Sequence, residues 1–111
     1  MELVTLRRMC ELLNVSRRSI QCYEKAGLLV PTEKNKYGHL LYDRKALHRA
    51  ERIKFFQEIG FKLREIKEII DAPPEDMKTV LERRVKELQK EKERTDILIE
   101  EVYRFIEELK L

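Results

Sequence analysis

A chain of 111 residues, 41% charged and 42% hydrophobic, has room for one small domain and an appendage but not for two full globular domains. Three Gly, three Pro and no Trp weigh against a Gly-rich all-β protein or a Pro-rich linker. No apolar run approaches the ~20 residues that span a bilayer and no signal-peptide core follows Met1, so the expectation is a soluble, cytoplasmic protein with no membrane partner.

The net charge of +3 is unevenly distributed. Residues 1–70 hold 15 Lys and Arg against 9 Asp and Glu, a balance of +6, whereas residues 71–111 hold 9 against 12, a balance of −3. A basic front half suits a polyanionic partner, and a mildly acidic rear half suits a different task. The sign changes beside Pro73-Pro74, and proline cannot lie in a helix interior without losing a backbone hydrogen bond. The pair therefore separates residues 1–72 from residues 75–111. Cys10 and Cys22 allow one bridge at most and form no Cys-x-x-Cys pair, which predicts two reduced thiols, at least one of them packed in the core.

In chain order, residues 5–13 predict a short helix with Thr5 as N-cap and Leu6, Met9, Cys10 and Leu13 on one face. Asn14-Val15 breaks the pattern. Ser16 caps a second helix running to about Lys25, with Gly27 where a left-handed residue belongs. Two short helices joined by a tight turn have the size of a helix-turn-helix. Residues 28–42 predict a β-hairpin: Leu28-Leu29-Val30 and Leu40-Leu41-Tyr42 as strands around the basic turn Lys34-Asn35-Lys36-Tyr37-Gly38. A lone hairpin is marginal in water, so it must pack on the helices. Asp43 caps a third helix ending near Gly60, with Ala46, Leu47, Ala50, Ile53 and Phe56 at helical spacing, and a fourth covers about Leu63–Ile70.

Residues 77–111 contain neither Gly nor Pro and predict one helix ~50 Å long. Apolar positions recur in steps of four and three, with Leu81, Leu88, Thr95, Val102 and Leu109 in one series and Val85, Lys92, Ile99 and Ile106 in the other. This is a heptad seam with a polar middle at Lys92 and Thr95, a feature that weakens association but fixes register. It predicts a coiled-coil homodimer; a long helix inside an intramolecular bundle is the alternative.

The order of helix-turn-helix, basic hairpin, two helices, proline break and long helix resembles the MerR family of bacterial transcription regulators. The residues that carry the likeness are Val15-Ser16-Arg17-Arg18-Ser19-Ile20 through Tyr23-Glu24-Lys25-Ala26-Gly27-Leu28-Leu29, then Gly38-His39-Leu40-Leu41-Tyr42-Asp43, Phe55-Phe56-Gln57-Glu58-Ile59-Gly60-Phe61 and Leu63-Arg64-Glu65-Ile66-Lys67-Glu68-Ile69-Ile70. They cover nearly the whole chain, in order. The resemblance implies a mainly α fold: a winged helix-turn-helix lobe with a small β-hairpin wing over residues 1–72, and a long antiparallel coiled-coil dimerisation helix over residues 75–111. It also implies a homodimer on a palindromic promoter, distortion of the promoter spacer, and RNA polymerase as a partner. The chain departs from the family's usual Arg-Tyr-Tyr late in the second helix, where it has Gln21-Cys22-Tyr23. It departs again from Gly-Tyr-Arg-Leu-Tyr in the wing, and from a Ser or Thr cap on the fourth helix, where Lys62 stands.

In such a lobe the second helix enters the major groove of double-stranded DNA with its N-terminal residues near base edges. Ser16, Arg17 and Arg18 stand there, with Gln21 one turn on. Arg pairs bidentately with guanine and Gln with adenine, the alternative being contact with phosphate or solvent alone. Tyr23 either donates to a phosphate or packs against the wing, and Tyr42 has a core role or a DNA role. Lys34, Lys36 and His39 on the wing suit flanking phosphates, a solvated charge being the alternative for Lys34. Lys62 and Arg64 open the fourth helix, which resembles the family's second wing and offers N–H groups to a phosphate.

Other chemistries find little support. Cys10, Cys22, His39 and His48 lack metal-ligand spacing, and two cysteines cannot hold a four-Cys cluster, so no metal and no cofactor is expected. There is no Gly-rich phosphate loop and neither His belongs to a triad, which predicts no catalytic residue and no enzyme. Two alternatives stand beside the regulator: an interaction module or antirepressor with a weakened DNA surface, and the N-terminal part of a larger ligand-responsive regulator.

Overall fold

The computed structural model describes residues 2–110. It divides into two compact units, Met1–Ala72 and Pro73–Leu111. The first unit contains β1 (Val4–Thr5), α1 (Leu6–Leu13), α2 (Arg17–Lys25), β2 (Glu33–Lys34), β3 (Leu40–Tyr42), α3 (Arg44–Glu58) and α4 (Leu63–Ile69); the second is one helix, α5 (Pro74–Glu108). Among the described residues no helix is long and apolar enough to cross a membrane.

The helix starts follow from their caps. Thr5 Oγ1 accepts the amide of Arg8 at 3.1 Å, Ser16 Oγ that of Ser19 at 3.0 Å, and Asp43 Oδ1 that of Ala46 at 2.8 Å. Each satisfies a first-turn N–H that has no partner inside its own helix. At the end of α1, Asn14 takes the left-handed conformation (φ 54°), and Lys54 Nζ from α3 donates to the Leu13 carbonyl at 2.6 Å. A cation at a helix C-terminus meets both an orphan carbonyl and the negative end of the dipole. The core formed by Met9, Leu13, Ile20, Tyr23, Leu28, Leu29, Tyr42, Ala50, Ile53, Phe56, Ile66 and Ile70 joins α1 through α4 to β3.

The sheet differs from the expected hairpin. It has three antiparallel strands in the order β1-β3-β2, with Val4 opposite Tyr42, Thr5 opposite Leu41, Glu33 opposite Leu41 and Lys34 opposite Leu40. The wing strand preceding the turn is thus Glu33–Lys34, not Leu28-Leu29-Val30. The reason lies in the backbone: the Leu28 N–H closes α2 by donating to the Tyr23 carbonyl at 2.9 Å, and its own carbonyl accepts from Arg49 Nε. Neither group is available to a ladder, and the Leu28 and Leu29 side chains are buried. Gly27 makes this reversal possible at φ +76°, where a Cβ would also come within 3.1 Å of Lys67 Nζ.

Arg49 further grips Asp71 at 2.8 and 3.0 Å, fixing the chain just before the first unit ends. The second unit starts earlier than the sequence pattern suggests. Pro74 occupies the first helical position, where its missing N–H would have had no partner, and Glu75 and Asp76 follow in the first turn, where the helix dipole favours acids. The described helix ends at Glu108; Leu111, where the expected helix finishes, lies outside the described residues. Neither cysteine is fully buried: Cys10 is half-buried, with its thiol pKa raised by burial, and Cys22 is exposed.

Two stability tests follow. Ile66→Ala, at a fully buried site on α4, is expected to cost about 2–5 kcal/mol in urea unfolding, whereas exposed Val30→Ala stays within about 0.5 kcal/mol. The Arg49 guanidinium, chiefly by hydrogen bonding, holds the Asp71 carboxyl below the usual carboxylate range. Because the folded pKa is depressed, its contribution is present above the ordinary carboxylate pKa and lost as pH falls through the lowered value. Asp71 is largely exposed, so the contribution is small. Asp71→Asn should flatten the acid limb of the stability–pH curve; an unchanged limb would assign acid sensitivity to other carboxylates.

Candidate nucleic-acid interface

Burial orients α2. Ile20 and Tyr23 face the core, so Arg17, Arg18 and Gln21 occupy the outer face and all three are exposed. Ser16 is committed to the cap, its Oγ lying 3.0 Å from both the amide and the hydroxyl of Ser19. The first turn of α2 therefore presents two guanidiniums and, one turn later, an amide, the donor and acceptor set that suits base edges in a major groove.

The two tyrosines lie on the other side of the ledger between surface and core. Tyr23 is 1% exposed and donates its hydroxyl to Gln57 Oε1 on α3 at 2.8 Å. Tyr42 is fully buried and donates to Glu24 Oε1 on α2 at 2.7 Å. Burial raises both phenol pKa values, the Tyr42–Glu24 hydrogen bond adding to the effect at Tyr42. Both hydroxyls are thus engaged within the lobe, which favours the core role for Tyr42 and gives Tyr23 a partner on α3 rather than on the wing.

The wing tip is organised by Asn35. Its Oδ1 accepts the amides of Tyr37 and His39 at 2.9 and 3.0 Å, while its backbone bonds Gly38 N–H at 3.0 Å and the His39 carbonyl at 2.9 Å. Gly38 closes the turn at φ +82°, with open space where a Cβ would be. Lys36 and His39 are exposed, Lys36 Nζ standing 5.1 Å from the Tyr37 ring centre. At the start of α4, Lys62 and Arg64 are exposed, but the Lys62 amide donates to Glu65 Oε1 at 2.9 Å, so this N–H is already engaged within the chain.

A family model described as MerR HTH family regulatory protein matches residues 4–73, and a second, described as MerR, DNA binding, matches residues 47–104. The chain belongs to the MerR family. It is 37% identical over 99 residues to the HTH-type transcriptional activator mta of Bacillus subtilis, covering 89% of this chain and 38% of that relative. The chain thus spans well under half the length of this curated MerR relative. The solved N-terminal part of the B. subtilis multidrug transporter activator superposes with a TM-score of 0.75 at 36% identity, covering 93% of this chain and 97% of that one. HiNmlR, a MerR regulator lacking the sensor domain and solved bound to promoter DNA, has a TM-score of 0.73 at 20% identity over 89% of this chain and 80% of its own, a likeness of fold.

Among the described residues of the second unit of this MerR chain, no side chain is buried. Of the heptad series, Leu81 is half-buried and Val85, Leu88, Lys92, Thr95, Ile99, Val102, Ile106 and Leu109 are exposed. Leu98, Tyr103 and Phe105 are exposed as well, and they broaden the apolar face beyond the two series. Leu98 and Phe105 stand seven apart, the signal by which they were legible. Asn35 had no such signal, because an Asn in a turn looks the same whether or not its side chain ties the loop.

The wing is open to a direct test. Asn35→Ala removes two side-chain hydrogen bonds, so exchange at the Tyr37 and His39 amides should accelerate at least about fivefold, the equivalent of one bond of ~1 kcal/mol. Unchanged protection by NMR would show that the tip is held by other contacts.

Proposed function

We propose that this chain is a sequence-specific, DNA-binding transcriptional regulator, non-enzymatic and cytoplasmic, that grips a palindromic promoter as a homodimer. The observation that carries the reading is the outer face of α2: Arg17, Arg18 and Gln21 exposed together on a helix whose opposite face is locked into the core. The wing residues Lys36 and His39, with Lys62 and Arg64 at α4, add phosphate contacts, and counterion release at the cations supplies affinity. Residues 1–72 form the DNA-binding domain in this reading. Spacer distortion, which lets RNA polymerase engage, follows from the family likeness and would place part of the recognition in DNA deformability.

Residues 75–111 form the dimerisation helix. The exposed seam supports this, and so does the charge along it. Residues 77–92 carry 6 Lys and Arg against 3 Asp and Glu, and residues 93–110 carry 3 against 6. Antiparallel pairing of two copies sets the basic half of each helix against the acidic half of the other, whereas parallel pairing sets like against like. Lys92 and Thr95 then meet near the centre of the pair and fix its register.

Sequencing the DNA fragments that the protein selects from a random pool should return an inverted repeat, and Arg17→Ala and Arg18→Ala should each weaken binding to it about 5- to 150-fold, the range for one lost bidentate base contact. Binding that both variants leave unchanged would sink the assignment of α2. Sedimentation should give about 27 kDa, twice the 13.4 kDa of one chain, and Ile99→Asp should give monomer because the charge falls on the seam. A monomeric parent protein would remove the dimer.

A further inference from the structure

The start of α1 lies against the wing and the start of α2, and the three enclose a cleft of about 410 Å³ lined by Thr5, Leu6, Arg7, Arg17, Gly38, His39 and Leu40. Its lining is largely apolar, but the residues with ionisable side chains along it, Arg7, Arg17 and His39, are all basic and none is acidic. Thr5 is committed to capping α1, and Leu6 and Leu40 are half-buried, so the charge of the walls comes from Arg7 and Arg17, with the His39 imidazole as a further polar group. Arg7 is 87% exposed, and its guanidinium is held only by a long, exposed ion pair from Nε to Glu11 at 3.5 Å, which a phosphate can displace. Glu11 also holds Arg8 at 3.2 Å and is thus shared between two cations. On the wing side, Asn35 Oδ1 accepts the His39 amide at 3.0 Å, and the space around Gly38 is open.

We propose that this cleft seats one backbone phosphate of the bound duplex, with Arg7 and Arg17 as its cationic walls and His39 at its rim. The proposal rests on the DNA-binding reading above and adds Arg7, on the first helix, to the contacting residues. Arg17 then stands at the junction of two tasks, lining the phosphate cleft on one side and opening the major-groove face on the other. The occupant is a phosphate diester of DNA rather than a base edge, because the lining residues come from two helix starts and a loop instead of along one helix face. An anion held there fixes the wing against α1 and α2 and sets the register of the lobe on the duplex without reading sequence.

A phosphate contact has a signature that a base contact lacks: its loss weakens all sequences alike and lowers the salt slope by about 0.9 per phosphate. The full chain, as Arg7→Ala, Arg7→Lys and Glu11→Gln variants, would be titrated between 50 and 200 mM salt with the selected DNA and with a scrambled duplex. Arg7→Ala should weaken both by a similar factor and reduce the slope by about 1. Arg7→Lys should restore the slope, and Glu11→Gln should tighten binding by releasing Arg7. Thermal unfolding of each variant separates a folding defect from a binding one. If Arg7→Ala keeps the parent affinity and slope while Arg18→Ala loses binding, the cleft assignment falls and the DNA reading stands. If the parent protein selects no DNA at all, it is the DNA reading that fails, and the cleft assignment falls with it.

Discussion

The placement of α2 depends on two phenols. A helix of nine residues is too short to persist by itself, so its orientation comes from what its buried face touches. Tyr23 on that face bonds Gln57 of α3, and Tyr42 of β3 bonds Glu24 near the end of α2. Each bond is worth only ~1 kcal/mol net, less than the burial of either ring, but burial has no direction and a hydrogen bond does. The rings hold α2 against the core while the hydroxyls fix its rotation, one toward the third helix and one toward the wing. Turning α2 about its axis would break both bonds and carry Arg17, Arg18 and Gln21 off the outer face. The surface that the proposed function uses is therefore set by residues that never reach it.

The second unit has the opposite economy. All of its side chains are outside any core of its own chain, and its apolar residues gather in the final third, where Leu98, Ile99, Val102, Tyr103, Phe105, Ile106 and Leu109 are exposed. A contiguous apolar face of this kind marks an interaction surface in a chain otherwise so highly charged. In an antiparallel pair each apolar third lies beside the more sparsely apolar start of its partner, where Leu81, Val85 and Leu88 meet it. In the proposed pair, the polar centre at Lys92 and Thr95 would weaken association where both copies coincide and leave the two ends to hold it.

Much of this was legible in the residues, and the reasons are local. Thr5, Ser16 and Asp43 announce helix starts because a short side-chain oxygen before an apolar period can do little else, and the structure uses all three as caps. Gly27 is legible at a helix end for a different reason, the missing Cβ that lets it take the left-handed conformation at φ +76°. Where the reading failed, a distant partner decided the outcome. Leu28-Leu29-Val30 has the composition of a strand, but Arg49, twenty-one residues away, takes the Leu28 carbonyl. The strand Val4–Thr5 is two residues long and exists through its pairing with Leu41 and Tyr42, so it has no period to detect. Tyrosine is ambiguous in principle, since its ring favours the core and its hydroxyl any acceptor, and only Gln57 and Glu24 resolve it.

The same logic bears on how this chain differs from the pattern it resembles. The usual cation late in the second helix is replaced by Gln21, and the usual cation in the wing by Leu40. Both losses lie close to Arg17 or to the cleft that it lines, since Leu40 forms part of that wall. Arg7 lines the same cleft from α1, so the proposed phosphate site has a cation on a helix although the wing lacks its usual one. Charge at a phosphate site is indifferent to the element that supplies it, whereas a bidentate base contact is not, because it needs a planar group at one angle and depth. Phosphate contacts can therefore migrate between elements while the lobe keeps its fold, and the base-reading positions of α2 cannot. In this chain the starts of the first two helices carry four exposed cations, Arg7, Arg8, Arg17 and Arg18.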